Sequence, residues 1–249
     1  MGSFKISNRK VVIIIVVAIA LFSFFIKGIV TGSAVPTRDN MLKTYPFFEA
    51  LNKVAPEQAD NFYEDFVSAL HGGDEETQNK LILKLLASIN TWFDSNIGRL
   101  LNSASDDVVN EYGRHFINSF NVLLKNDPTG VQCFNTVYPG VIGDLDIFKL
   151  KDDIKGLGYK RTYLNSIADS IARRDKIDRL PVEQIEEAFS IINNKLVEKY
   201  GEDYYIEDPK ELAKQPSLVC RKTLDLLREV VALDPHLSAE ILRYINAPE

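Results

Sequence analysis

The residues that most often carry chemistry are scarce in this sequence: among 249 residues there are 3 histidines, 2 cysteines, 2 methionines and 1 tryptophan. The histidines, His71, His115 and His236, stand in three separate segments, and no His-x-x-x-His or His-Glu-x-x-His pair exists to grip zinc. Two cysteines are too few for a disulfide-dense miniprotein. The 13 glycines and 10 prolines follow no repeat, which excludes collagen and low-complexity disorder. Positive charge is also short, with 29 Lys and Arg against 35 Asp and Glu and a formal net charge of -6. Phosphate neutralisation needs a surplus of cations, so nucleic acid is not an expected partner.

Several catalytic signatures are missing as well. There is no Gly-x-x-x-x-Gly-Lys-Ser/Thr loop, no Gly-x-Gly-x-x-Gly turn and no Gly-x-Ser-x-Gly elbow. Asp144 and Asp146 fail the calcium-loop test because Ile147, Phe148 and Leu150 follow where oxygen ligands are needed. The Ser-x-x-Lys string at 7–10 precedes an apolar run and has no pocket to serve. No cofactor or metal is therefore expected, and no catalytic residue is assigned.

What the sequence does have is one long hydrophobic run. From Val11 to Ile26 every residue is apolar except Ser23, and the run continues past Lys27 through Gly28, Ile29 and Val30. About 20 residues suffice for a helix to cross a hydrocarbon core roughly 30 Å thick. Lys27 lies in the last turn, where its stem can snorkel to the headgroups. Lys5, Arg9 and Lys10 crowd the short N-terminal side, which predicts N-in, C-out. The expected layout is a basic tail at 1–10, a signal-anchor span at 11–30, a small polar stem at 31–40 and an exported part at 41–249. A competing layout is a secretory signal cleaved near Ala34, after the small residues Gly32 and Ser33.

Beyond the stem the sequence reads as helical almost throughout. Apolar residues return at helical spacing at Phe62, Phe66 and Leu70; at Ile82, Leu86, Ile89, Phe93, Ile97 and Leu100; at Tyr112, Phe116, Phe120 and Leu123; and at Ile185, Phe189, Ile192 and Leu196. Pro56, Pro181, Pro209 and Pro235 stand where helices start, and Asp74 and Ser105 are candidate caps. No stretch alternates with period two. The expected fold class is all-α, with about eight or nine helices in a bundle or irregular array. The Pro/Gly-rich loop at 127–143 is the expected internal seam. The aromatics Phe47, Phe48, Trp92 and Phe93 read as a packing seam, with exposure of Phe47 and Phe48 marking an interface instead.

Three constellations remain. Cys133, in that loop, and Cys220, near the start of a late helix, are a candidate disulfide, which an exported compartment permits; two separate buried thiols are the alternative. Lys149, Lys151, Lys155, Lys160, Arg161, Arg173, Arg174, Lys176 and Arg179 form a candidate basic face, either paired with the acidic stretch at 183–208 or presented to anionic lipid or an acidic partner. Asp60, Glu64 and Asp65 share the polar face of one helix, the pattern of a solvated surface. Of the histidines, His115 reads as a packing residue beside Phe116, His71 as a helix C-terminal cation, and His236 has no evident partner in sequence. The sequence thus predicts a non-catalytic, membrane-anchored interaction or structural protein of the cell envelope, partnering other envelope proteins or itself. The absence of an Asn-x-Ser/Thr sequon beyond the span fits a bacterial envelope. The alternatives are an envelope-polymer hydrolase using paired carboxylates and a cleaved, secreted factor.

Overall fold

A computed structural model describes residues 37–247, apart from 45, 72, 139, 144–162 and 207. The expected tail and span at 1–30, and most of the stem, lie outside the described residues. Among those residues there are eleven α-helices and no strand. They are α1 (Arg38–Thr44), α2 (Pro46–Val54), α3 (Pro56–Leu70), α4 (Glu75–Asn102), α5 (Asp106–Asn126), α6 (Val131–Val137), α7 (Tyr163–Arg173), α8 (Val182–Tyr200), α9 (Pro209–Leu212), α10 (Pro216–Val231) and α11 (Pro235–Ile245), with a 3-10 turn at Gly201–Tyr205 between α8 and α9. None of these is both long and apolar enough to cross a membrane.

The all-α expectation holds, with eleven α-helices in place of the eight or nine expected because the short α1, α6 and α9 are added, and the start signals explain much of it. Helices α3, α9 and α11 open on Pro56, Pro209 and Pro235, α8 follows Pro181, and α2 and α10 open on Pro46 and Pro216 in the same way. Asp74 caps α4 by accepting from the Thr77 N–H at 2.9 Å, and Asp234 caps α11 by accepting from His236 N–H at 3.0 Å. Ser105 precedes α5 but does not cap it; its hydroxyl turns to Asp107 while its own N–H donates to Ser170 of α7 at 2.8 Å.

Two boundaries differ from expectation. The stem was expected to run to residue 40, yet α1 begins at Arg38, with Thr37 Oγ1 accepting from Asn40 N–H at 3.3 Å and Met41 already in the core. The loop expected at 127–143 contains α6, whose Cys133 and Phe134 are fully buried. Four apolar positions in a seven-residue helix, Val131, Cys133, Phe134 and Val137, are enough to anchor it inside a Pro/Gly-rich segment.

Helix α5 is central, packing against α6, α7, α10 and α11. Its buried stripe is the expected one: Tyr112, Phe116, Phe120 and Leu123 are all at most 2% exposed. Each such side chain contributes roughly 1.5–3 kcal/mol by leaving water. Tyr112 and Phe116 meet edge to face, with centroids 4.6 Å apart and ring planes at 72°, and Tyr163 of α7 closes on both. Gly113 lets this helix come close to its neighbours, since a Cβ there would stand 2.9 Å from Leu242 of α11 and 3.0 Å from Val231 of α10. Phe47 and Phe48 are core residues, 2% and 1% exposed, not an interface. In α8, Ile185, Phe189, Ile192 and Leu196 face α10 and α11 as their spacing predicts.

Cys133 of α6 and Cys220 of α10 are bridged: their sulfurs are 2.06 Å apart and their Cα atoms 6.0 Å apart. Gly130 sets the approach. It stands in the left-handed region at φ 76°, and a Cβ on it would fall 2.4 Å from the Ser217 Cα of α10.

Candidate functional site

A shallow surface groove of about 720 Å³ runs between α3 and α4. Both walls follow from helical register. On α3, Gln58, Asn61 and Asp65 recur at three and four residues with Glu64 beside them, above Phe62, which points into the core. On α4, Ser88, Thr91, Trp92, Ser95 and Asn96 recur likewise, while Ile89 and Phe93 turn inward. The two helices are held in place at their turn, where Gln78 Nε2 donates to the Leu70 carbonyl at 3.1 Å.

Chemically the groove is polar and mostly uncharged. Among the described residues only Glu64 and Asp65 bring charge to its lining, and no Lys or Arg among them lines it. Trp92 is half-buried, its ring perpendicular to Phe93 at 5.0 Å, so part of the indole remains open. Some neighbours are already engaged: Asn96 Nδ2 donates to the Trp92 carbonyl at 2.8 Å and Ser95 Oγ to the Thr91 carbonyl at 2.9 Å. The side chains of Gln58, Asn61, Glu64, Asp65 and Ser88 make no hydrogen bond or ion pair with the described residues. Amide donors, carboxylate acceptors and one indole therefore converge on open space.

The acidic trio read from sequence splits at this point. Asp60 pairs with Arg38 of α1, whose guanidinium also reaches Asn52 Oδ1 at 2.8 Å. Glu64 and Asp65 face the groove, and both are exposed, whereas a glycosidase acid is usually set in a desolvated pocket. Sequence reasoning missed Gln58, Asn61, Ser88, Thr91, Ser95 and Asn96. The available signal was the segment 88–96 (SINTWFDSN), whose outward positions carry amides and hydroxyls where an ordinary surface helix carries Lys and Glu.

The candidate basic face lies partly outside the described residues, at Lys149, Lys151, Lys155, Lys160 and Arg161. Of the rest, Arg173 pairs with Asp175 at 2.7 Å, Lys176 with Asp178 at 2.8 Å and Arg179 with Glu240 at 2.9 Å, while Arg174 is exposed at φ 55°. These pairs are made with near neighbours and with α11. The stretch at 183–208 turns to other partners: Lys195 and Lys199 pair with Glu229 and Asp225 of α10, and Glu186 accepts from Tyr244 of α11. Burial works to raise the Asp225 carboxyl, but hydrogen bonds from Lys199 and Tyr200 outweigh it and hold it below the usual carboxylate range. Burial first, and then the bond to Asp225, push the Tyr200 phenol up. A second depression, about 400 Å³, lies along this seam and is lined by its ion pairs.

The remaining polar cluster is structural. Arg243 is fully buried and donates to Asp106 at 2.7 Å, to Glu240 at 2.6 Å, and to the Leu101 and Ala104 carbonyls at 3.1 and 2.6 Å. It thereby ties α11 to the turn that follows α4, serving the Ala104 carbonyl and adding a second bond to the Leu101 carbonyl, which already accepts from Ala104 N–H at 3.2 Å. His236, without an evident partner in sequence, lies against Asp106, Nδ1 to Oδ2, at 2.6 Å. His115 is 5% exposed among Phe116 and Tyr163, and burial pushes its pKa down to about 4. Among the described residues no cluster of His, Cys, Asp and Glu could hold a metal ion.

Compared with known proteins, the chain matches no family model, no curated relative and no solved structure.

Proposed function

We propose that the protein is a single-span, membrane-anchored component of the cell envelope whose helical part stands outside the cytoplasm and works by binding, not by catalysis. The observation that carries this reading is the Cys133–Cys220 bridge together with the absence of any free cysteine among the described residues. Structural disulfides persist in oxidising compartments and are rare where glutathione keeps thiols reduced. The apolar run at 11–30 and the basic residues ahead of it supply a matching route, a signal-anchor that leaves the following chain outside. The binding surface is the α3–α4 groove, which offers recognition groups in the open and no desolvated acid or nucleophile. Its partner is another envelope component or a second copy of the chain.

Fractionation of cells expressing the full chain, combined with N-terminal sequencing and protease shaving from outside, tests this layout. The expected result is an intact N-terminus in the membrane fraction and digestion of the helical part in unbroken cells. A soluble chain starting near residue 35 would replace the anchor with a cleaved signal. A chain protected until lysis would contradict export.

A further inference from the structure

Resting on that reading of the groove as the binding surface, we propose that it takes a neutral, extended oligosaccharide, a strand of the envelope's own glycan. The lining opposes three other ligand classes. Glu64 and Asp65, with no cation among the lining residues, oppose a polyanion such as nucleic acid or an anionic lipid headgroup. An amphipathic helix would need an apolar strip, and Phe62 is only 2% exposed, which leaves the Trp92 indole as the groove's main apolar surface. A β-strand would need a sheet edge, and the described residues form no strand.

A sugar uses what remains. A pyranose presents one face of C–H bonds, which packs on an indole, and a rim of hydroxyls that both donate and accept. Gln58 and Asn61 offer an amide of each polarity, Glu64 and Asp65 accept from paired hydroxyls, and Ser88 adds a hydroxyl on the opposite wall. None of these five is held by another described residue, so none gives up an internal bond to serve a ligand. The lining spans eight residues on α3 and nine on α4, about 10–12 Å of axis, which is the reach of a short oligosaccharide and more than one ring needs. The neighbouring bonds of Ser95 and Asn96 to the α4 backbone hold that wall in place before a ligand arrives.

Trp92 is the only tryptophan of the chain, so intrinsic fluorescence reads this groove directly. The test is titration of the full chain in lipid nanodiscs, free of sugar detergents, with chitotetraose, cellotetraose and, as the anionic control, tetragalacturonate. The expected result is a saturable shift of Trp92 emission with a neutral tetrasaccharide, and at least tenfold weaker response to the uronate. Calorimetry of W92A and of D65N, each with unchanged helical circular dichroism, is expected to show at least tenfold weaker binding. No saturable response to either neutral sugar would overturn the inference, as would affinity unchanged in both variants or a response to the uronate equal to that of the neutral sugars. Such a failure leaves the anchored layout intact, because protease shaving reads that separately; failure of the shaving test contradicts the layout whatever the sugars do.

Discussion

At position 115 an imidazole sits inside a wall of Phe116 and Tyr163, and burial lowers its pKa from 6.5 to about 4. A base whose folded pKa is depressed binds more protons when unfolded. Its contribution to stability is therefore complete above pH 6.5 and is lost as pH falls from there to about 4, a difference on the order of 3 kcal/mol. Urea midpoints measured at pH 7 and pH 4.5 should fall between the two for the unmodified chain, and the fall should be much smaller in His115→Gln. Asp225 adds a second, lower window: its folded pKa is depressed, so its share is present above the ordinary carboxylate pKa and is lost only as pH drops further. Arg243 belongs to the same scale. Arg243→Ala leaves buried Glu240 with only the half-exposed Arg179 as a cation and strips the Ala104 carbonyl of its Arg243 bond, and should destabilise by about 3 kcal/mol in denaturant unfolding. His115 was legible in sequence as a packing residue because Phe116 stood beside it. The Arg243 cluster was not legible, since its members are separated by up to 142 positions and only folding brings Leu101 and Asp106 to Arg243.

Helices declare themselves in sequence when they are long enough to repeat a face. In α5 and α8 the expected stripes are the buried ones, because four apolar residues at spacings of three and four leave a single orientation that hides them all. The short helices α1, α6 and α9 escape this reading, as one or two turns repeat nothing; α9 is a single turn behind Asp208 and Pro209. Prolines 46 and 216 carried the same start signal as the four that were read, and reading them would have placed α2 and α10 more sharply. How tightly elements approach is also invisible in sequence, and Gly113 shows why it matters. Gly113→Ala gains roughly 1 kcal/mol of helix propensity yet sets a methyl against Leu242 and Val231. We expect a net loss of about 1–2 kcal/mol, read as a lowered thermal midpoint, with recovery of part of it in Gly113→Ala/Val231→Ala.

Over the whole molecule the bridge between α6 and α10 is the longest covalent constraint, joining residues 87 apart. On the chain-entropy model a loop of that length contributes about 4–5 kcal/mol by restricting the unfolded chain. Cys133→Ser/Cys220→Ser should therefore lose about that much in urea unfolding, while circular dichroism of the surviving fold stays helical. The sequence offered the two cysteines as a candidate pair with separate buried thiols as the alternative; what it did not show is the close approach that decides between them, a left-handed Gly130 against Ser217. The groove was half legible: Glu64 and Asp65 were visible as an acidic face and Trp92 as an aromatic, but their convergence needed α3 and α4 to fold side by side. The apolar run at 11–30 is read from sequence alone, and in the proposed layout export behind it is what would account for a bridged Cys133–Cys220 pair. The state of the two thiols in the living cell tests that account most directly. Intact cells are treated with a membrane-permeant alkylating reagent before lysis, and the full chain is then counted for labelled cysteines before and after reduction. Export predicts none labelled before reduction and two after it; two labelled without reduction would place the helical part in a reducing compartment and contradict the account.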